Sequence, residues 1–226
     1  MKVTLLTYTP DAEKAVAAAA RLCYSATDAC DLYDGMDDEK AEKLLQKLVK
    51  SGHYSPFEHA SFTFAIDGIS RACSHQFVRH RLASYSQKSQ RYVKEKDFDY
   101  VVPVSIACNK DALQKFVDIV VKTRICYDEL VEAGIPAEDA RYLLPNACET
   151  NIVVTMNARE LRHFFSLRCC SRAQWEIRAV AMQMLRLAQE AAPLLFEGTG
   201  ASCVSQGVCY EGDMCCKKGL VEIRRR

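Results

Sequence analysis

The clearest pattern in the chain is an alternation of apolar and polar side chains over residues 60–66. Phe62, Phe64 and Ile66 fall on one face and the residues between them on the other, which is the period of a strand with one buried face. The segments 3–8 and 151–156 also have the composition of short strands. The pattern therefore predicts a sheet of several strands.

Longer amphipathic segments separate these strands. The best defined runs from residue 111 to 133 and ends before Gly134 and Pro136, two residue types that stop helices. Its predicted buried stripe comprises Leu113, Phe116, Val117, Val120 and Val121. Further helices are predicted at 10–25, at a segment ending near 51, and at 70–81, 136–144, 158–172 and 174–192. Asn157, with Glu160 three residues later, is predicted to cap the helix at 158–172.

These elements predict an α+β fold, in which a mixed or antiparallel sheet packs with long helices in a single domain. We expect that domain to cover residues 1–197 and to be followed by a Cys-rich C-terminal tail at 198–226. Residues 82–103 are polar and aperiodic, which predicts a long loop of the kind used for binding. The sequence has no G-x-G-x-x-G after a strand and no G-x-x-x-x-G-K-[ST], so a nucleotide would need another phosphate-binding arrangement.

The composition narrows the class of protein. The chain has 226 residues, with 30 Lys plus Arg against 29 Asp plus Glu, and a formal net charge of +1. Such a balance argues against a protein that binds nucleic acid or a membrane through overall positive charge. The N-terminal residues do not resemble a signal peptide, and no apolar run of about 18 residues occurs. We expect a cytoplasmic protein, whose twelve cysteines are mostly thiols or metal ligands.

The near-neutral sum hides two segments without acidic residues. The first, residues 68–94, carries six cations: Arg71, Arg79, Arg81, Lys88, Arg91 and Lys94. The second, residues 161–175, carries Arg162, Arg168 and Arg172. A solvated helix face followed by a polar loop is the ordinary interpretation of such a run. The many Ser and Gln side chains among these cations instead favour recognition of a small anion, because guanidinium groups bind phosphate and carboxylate with two hydrogen bonds.

Arg79, His80 and Arg81, followed after seven residues by Ser89, closely resemble the signature of flavin-dependent thymidylate synthases. Other blocks resemble the same family in the same order. They are HYSPFEH at 53–59, QFV at 76–78, ARYLLP at 140–145, NAR at 157–159, and LR at 167–168 with AQWEI at 173–177. The resemblance covers roughly residues 1–197.

The resemblance implies methylation of dUMP to dTMP, with 5,10-methylenetetrahydrofolate as carbon donor, NADPH as reductant and FAD as hydride carrier. It also implies a homotetramer whose flavin sites lie where subunits meet. A cysteine nucleophile is not used in this family, because the cofactor performs the redox chemistry while the protein orients and polarises the substrate.

The resemblance also assigns residues. Arg168 matches a catalytic arginine that contacts dUMP at the uracil edge and activates the ring electrostatically. The other dUMP-binding positions are Gln76, Arg79, Gln87, Lys88, Ser89, Arg91 and Arg141. The FAD-binding positions are His53, Ser55, Glu58, Arg79, His80, Arg81, Gln87, Asn157, Arg159 and His163. No metal site is implied.

Several of these positions keep a second interpretation. His80 and His163 are also consistent with hydrogen-bonded residues of a helical core. The Ser89 hydroxyl fits a phosphate or base contact better than a nucleophile, because no base with an orienting acid is adjacent. Gln87 lacks the negative charge that many family members carry nearby, and Arg172 replaces what is often a histidine.

Two questions stay open at the level of sequence. The tail cysteines Cys203, Cys209, Cys215 and Cys216 fit a metal site, a redox or disulfide role, or a flexible docking segment, and their spacing matches no metal motif strongly. For the chain as a whole, the alternatives to the enzyme are a flavin- or nucleotide-binding module without turnover and an RNA-binding domain that uses the basic segment.

Overall fold

The computed structural model describes residues 1–216 and the strand at 222–223, while 217–221 and 224–226 lie outside the described part. The predicted α+β class is confirmed. The strands are β1 (Lys2–Tyr8), β2 (Ser61–Ser70), β3 (Ala83–Gln87), β4 (Glu149–Asn157), β5 (Val208–Cys209) and β6 (Glu222–Ile223). The α-helices are α1 (Ala12–Leu22), α2 (Ala29–Asp34), α3 (Asp38–Ser51), α4 (Arg71–Phe77), α5 (Val104–Ala107), α6 (Lys110–Glu132), α7 (Ala137–Ala140), α8 (Ala158–Arg168), α9 (Trp175–Ala191), α10 (Pro193–Phe196) and α11 (Ser202–Ser205). Short 3₁₀ helices occur at Ser55–His59, Arg141–Leu143 and Gly212–Met214.

One antiparallel sheet contains four strands in the order β1, β2, β4, β3. Phe62, Phe64 and Ile66 are fully buried on one face of β2, which confirms the predicted alternation. Strand β4 alternates in the same way, and its buried residues are Thr150, Ile152, Val154 and Met156. In the tail, β5 and β6 form a separate parallel pair.

The chain divides into two compact units that are interleaved along the sequence. Unit 1 comprises residues 1–2, 66–79 and 85–153, and unit 2 comprises 3–65, 80–84 and the described residues from 154 onward. In unit 2, α8 packs against α9, α10 and the 3₁₀ helix at Ser55–His59. Strands β2 and β4 each begin in one unit and end in the other, so neither unit is a continuous segment of sequence.

Helix α6 supplies much of the apolar core of unit 1. Val120 packs with Phe98 and Cys148, and farther along the helix Tyr127 and Val131 pack with Ala140. The predicted stripe is wrong at one position. Val121 is exposed because each residue turns a helix by about 100°, which directs it away from the face of its neighbour Val120.

The caps show why these helices start where they do. The Asn157 side chain accepts a hydrogen bond from the Glu160 N–H at 2.8 Å, which confirms the predicted cap of α8. Asn109 caps α6 in the same way, through the Ala112 N–H at 3.0 Å. At the end of α3, Gly52 adopts a left-handed conformation with φ of 70°, which a residue with a side chain rarely adopts.

Three local predictions are wrong. Residues 82–103 are not all loop, because β3 forms at Ala83–Gln87, where half-buried residues alternate with the exposed serines Ser84 and Ser86. Helix α4 ends at Phe77, whose carbonyl accepts a hydrogen bond from the Tyr85 hydroxyl at 2.7 Å. Helix α8 ends at Arg168 and not near residue 172, and bends and a turn follow at 169–173. The short helix α2 had no clear sequence signal.

No helix within residues 1–216 is both long and apolar enough to cross a membrane.

The thiols whose pKa is raised yield a first prediction. Burial raises the pKa of Cys148 to about 11 and that of Cys169 to about 12, so that on the order of 0.1% or less of either is thiolate at pH 8. We expect iodoacetamide to modify the exposed thiols of Cys23 and Cys108 first, as followed by peptide mass spectrometry. Modification of Cys148 and Cys169 should become faster with each pH unit up to 11. Equal rates for Cys169 and Cys23 at pH 8 would contradict the burial of Cys169.

Candidate active site

Three side chains of unit 2 form a connected series in the interior. The Arg168 Nε–H donates to Nε2 of His80 at 3.0 Å. On the other side of the ring, Nδ1 of His80 lies 3.4 Å from Oε1 of Glu160. The side chains of His80 and Glu160 are only 5% and 6% exposed, while Arg168 is half-buried. A carboxylate, an imidazole and a guanidinium are thus connected in that order.

The chemistry of the groups fixes where the proton of this imidazole lies. Arginine stays protonated in proteins, so its Nε can only donate. Nε2 of His80 must therefore be the unprotonated nitrogen that accepts. In a neutral ring the proton is then on Nδ1, which faces the carboxylate of Glu160. Every group in the series meets a partner of complementary polarity.

The packing of α8 holds these groups in place. The His80 ring lies edge-on against Phe164, with centroids 4.9 Å apart, and its centroid is 6.2 Å from that of His163. Phe164 itself is fully buried. His80, predicted either as a flavin contact or as a core residue, is thus placed in the interior. Sequence reasoning gave Glu160 no role beyond the cap, and no motif pointed to its contact with His80.

A second feature of unit 2 is a small polar cavity beside α8, of about 190 Å³. Its lining residues are Tyr54, Arg159, Arg162, His163, Ser166, Thr199, Ser205 and Gln206. Within the described residues, the buried Thr199 hydroxyl has no hydrogen-bond partner. Arg159, at the edge of the cavity, pairs with Glu58 at 2.5 Å. Two predicted flavin contacts, Arg159 and His163, therefore line one polar site.

Arg162 of the same cavity has a structural role that the sequence did not reveal. Its guanidinium lies over the Tyr54 ring at 4.8 Å from the centroid, and it donates to the carbonyl oxygen of Leu195 at 2.7 Å. It also donates to the carbonyl of Glu197. These contacts attach the segment after α9 to α8.

In unit 1, Gln87 at the end of β3 bridges two other elements. Its Nε2 donates to the Ser74 hydroxyl of α4 at 2.9 Å and to the Thr150 hydroxyl of β4 at 3.2 Å. Ser74 and Thr150 are both buried. The side chain that departs from the family pattern therefore satisfies two interior hydroxyls.

Residues 68–94 contain no acidic residue, which suggested cations without acidic partners. In the fold, however, some of these cations pair with acidic residues elsewhere in unit 1. Lys88 pairs with the buried carboxylate of Glu95 at 2.7 Å. Arg91 donates to Oε2 of Glu138 from Nε at 3.0 Å and from Nη2 at 2.9 Å. Arg141 Nε donates to the Glu138 carbonyl at 3.0 Å. The fold thus brings two predicted dUMP contacts, Arg91 and Arg141, to one residue that sequence reasoning missed.

The remaining predicted residues take various positions. Ser89 is half-buried, and its hydroxyl accepts a hydrogen bond from the Arg91 N–H at 3.3 Å. Gln76 is half-buried on α4 in unit 1, where Arg79 is exposed. His53, Ser55 and Arg81 are exposed in unit 2.

Comparison with known proteins identifies the family. Residues 4–194 match the family model described as thymidylate synthase complementing protein. A flavin-dependent thymidylate synthase of Geobacter sulfurreducens is 52% identical over 100% of this chain and 97% of its own. Those of Clostridium tetani and Pyrococcus furiosus are 47% and 40% identical, each over 96% of this chain and 94% of its own. The chain belongs to the flavin-dependent thymidylate synthase family.

Within this family member, the predicted tail contributes to unit 2 in two places. Ser205 and Gln206 line the polar cavity beside α8. The four tail cysteines and Cys170 surround a smaller cavity of about 20 Å³. The family model ends at residue 194, before these residues, whereas the Geobacter relative matches along the whole chain.

The neighbours of the tail cysteines affect their acidity, as Cys209 shows. The Glu211 N–H hydrogen bonds to the Cys209 thiol and lowers its pKa, but the hydrogen bond with Cys215 and burial outweigh this and raise it overall. Among the described residues, no group of three or more His, Cys, Asp or Glu side chains is arranged to hold a metal ion. The predictions of a metal, redox or docking role for the tail stay predictions.

The bridge made by Gln87 can be tested through stability. Gln87→Leu leaves the hydroxyls of Ser74 and Thr150 without this donor, and we expect a loss of roughly 1–3 kcal/mol in the free energy of unfolding. Urea unfolding followed by circular dichroism measures the loss. Gln114→Leu is the matched control, because Gln114 donates to Asp118 on the exposed face of α6. Equal effects of the two variants would exclude a structural role of the bridge.

Proposed function

We propose that this protein converts dUMP to dTMP by reductive methylation, with 5,10-methylenetetrahydrofolate as carbon donor and NADPH as reductant. The observation that carries the proposal is Arg168, at the end of α8 in the last block of the family pattern. Its guanidinium is half-buried and is held through Nε by an interior imidazole. A cation so fixed is suited to stabilise negative charge that develops on a uracil ring.

The cofactor is FAD, which when bound and reduced by NADPH would supply the hydride for the reductive methylation. We propose that its binding residues are His53, Ser55, Glu58, Arg79, His80, Arg81, Gln87, Asn157, Arg159 and His163. The cavity beside α8 supports this set, because it offers a guanidinium, an imidazole and a buried hydroxyl to a polar ligand. At about 190 Å³ it is smaller than the roughly 300 Å³ at which ligand pockets usually begin, so it fits one polar part of a dinucleotide.

For dUMP we propose contacts from Gln76, Arg79, Gln87, Lys88, Ser89, Arg91, Arg141 and Arg168. The guanidinium groups of Arg91 and Arg141 suit the phosphate group, which they can bind with paired hydrogen bonds. Glu138 holds Arg91 with two such bonds in this structure. A phosphate also offers acceptor oxygens to a guanidinium and carries more charge than this carboxylate. Because the Arg91 and Glu138 side chains are about half exposed, replacing their ion pair costs little.

The thiol next to Arg168 supports a reaction without a cysteine nucleophile. Cys169 directly follows Arg168, and burial raises its pKa to about 12. A thiol in that state is protonated at neutral pH and is a poor nucleophile. The activation of the uracil ring therefore falls to the fixed positive charge of Arg168.

We further propose that the protein is a cytoplasmic homotetramer with its flavin sites between subunits. Apolar side chains that are exposed in the single chain support assembly, among them Leu82, Tyr92, Tyr142 and Ile119. Surfaces of this kind are commonly covered by other subunits. Residues 1–197 form the catalytic domain in this proposal, and residues 198–226 form the tail.

The turnover experiment decides between an enzyme and a binding module. We expect tritium release from dUMP labelled at C5 that depends on both NADPH and the folate. Arg168→Ala should lower kcat by about 10²–10³-fold while keeping FAD absorbance. Arg186→Ala is the control, because Arg186 forms an exposed pair with Glu190 on α9. Protein that retains flavin but never releases tritium would be a binding module and not an enzyme.

The phosphate site has its own test. Arg91→Ala should raise the KM for dUMP roughly tenfold or more, since a charge-assisted pair of hydrogen bonds is lost, with a smaller effect on kcat. Initial rates over a range of dUMP concentrations measure both. Lys96→Ala removes another exposed cation of unit 1, one paired with Glu132, and should leave KM unchanged. If both variants raise KM equally, general positive charge and not a specific site attracts the substrate.

A further inference from the structure

We infer that Glu160 and His80 are positioning residues, which hold Arg168 in the orientation that activates the uracil ring. This inference rests on the proposed function, and it adds two residues that act through Arg168. Its basis is the connected series Glu160, His80, Arg168, with contacts of 3.4 and 3.0 Å in the interior of unit 2.

The contact with His80 fixes the orientation of the Arg168 guanidinium. The group is planar, and its Nε–H lies on one edge while the two Nη groups lie toward the opposite side. Anchoring Nε on His80 therefore sets the direction in which the Nη groups point. A side chain already held in its working orientation loses less freedom when the ligand binds. The contact with His80 thus prepares Arg168 before dUMP arrives.

The contact between Arg168 and His80 also depends on which nitrogen of the imidazole carries the proton. With the proton on Nε2, two donors would face each other across 3.0 Å, and Arg168 would turn away. The buried carboxylate of Glu160 favours the proton on Nδ1, as the acid does in serine protease triads. Glu160 therefore acts on Arg168 through His80, because its carboxylate selects the tautomer of the imidazole that accepts from Arg168.

Helix α8 makes this arrangement rigid. Glu160 and Arg168 lie at opposite ends of the same helix, and Asn157 caps that helix through the Glu160 N–H. Phe164, on the turn between them, packs edge-on against the His80 ring. The geometry is therefore built into one helix and one ring and does not need a ligand to form it.

A double-mutant cycle separates positioning from a direct cofactor contact by His80. His80→Phe keeps an aromatic ring but loses both nitrogens, and we expect kcat to fall by about 100-fold. In the background of Arg168→Lys, which keeps the charge but has no Nε edge, the same change should cost less than about 3-fold. Equal losses in the two backgrounds would overturn the inference, because His80 would then act independently of Arg168.

A conservative variant provides a rescue. The side-chain amide of His80→Gln can accept from Arg168 with its oxygen and donate to Glu160 with its NH₂. We expect this variant to recover at least tenfold of the kcat that His80→Phe loses. Failure of the rescue in a protein with normal melting temperature and FAD content would contradict the inference.

Glu160→Gln tests the third member against a matched control. It should lower kcat by about tenfold or more with little change in the KM for dUMP. Glu13→Gln is the control, since the Glu13 carboxylate of unit 2 accepts a backbone hydrogen bond from Leu194 at 2.6 Å. The control is expected to lower the melting temperature but not kcat. Equal kcat values for both variants would show that Glu160 serves stability alone.

A measurement that does not require turnover can test this inference independently of the proposed function. The chain has five histidines, so a two-bond ¹H–¹⁵N NMR spectrum can be assigned by omission in His80→Gln. We expect His80 to carry its proton on Nδ1 in the unmodified protein and to lose that preference in Glu160→Gln. A proton on Nε2 would overturn the inference. A wild-type protein with the Nδ1 proton but without dTMP formation would refute the proposed function and leave the geometry established.

Discussion

The hydrogen bond from Arg168 Nε to His80 Nε2 is the contact on which the arrangement of α8 depends. An arginine that only donates requires an acceptor, and the imidazole can accept there only with its proton on Nδ1. That proton in turn makes a buried carboxylate tolerable at Glu160, where an unpaired charge would be costly. Helix α8 stabilises both Glu160 and Arg168, because its dipole favours an acid in the first turn and a cation in the last.

Features that depend on neighbours in sequence were predictable, and those that depend on distant pairs were not. The alternation in β2, the long helix α6 and the Asn157 cap follow from spacing alone. Strand β3 was missed because its exposed face consists of serines, which weaken the contrast between its two sides. The pairing of Arg91 with Glu138 spans 47 residues, and no local pattern encodes it.

The candidate site shows the same division. Ordered motifs were sufficient to nominate Arg168, His80 and the basic segment, since residue identity at matching positions carries that information. The role of Glu160 could not be found this way, because an acid three residues after an Asn already has a local explanation as part of a cap. Its backbone does serve the cap, but its side chain contacts His80. One residue thus has two functions, of which the sequence shows only the first.

The choice of an imidazole next to Arg168 has an electrostatic consequence. In unit 1, Lys88 and Arg91 each meet a carboxylate directly, so a ligand anion must compete with an existing negative charge. Through Nε, Arg168 donates to a neutral ring, and the carboxylate of Glu160 lies on the far side of that ring. Because Coulomb energy falls with distance, a carboxylate one ring away opposes the field of the guanidinium less than a direct partner would. His80 therefore fixes the orientation of the Arg168 guanidinium without cancelling its positive charge. A guanidinium that must be oriented and must also attract an anionic ligand needs a partner of this kind.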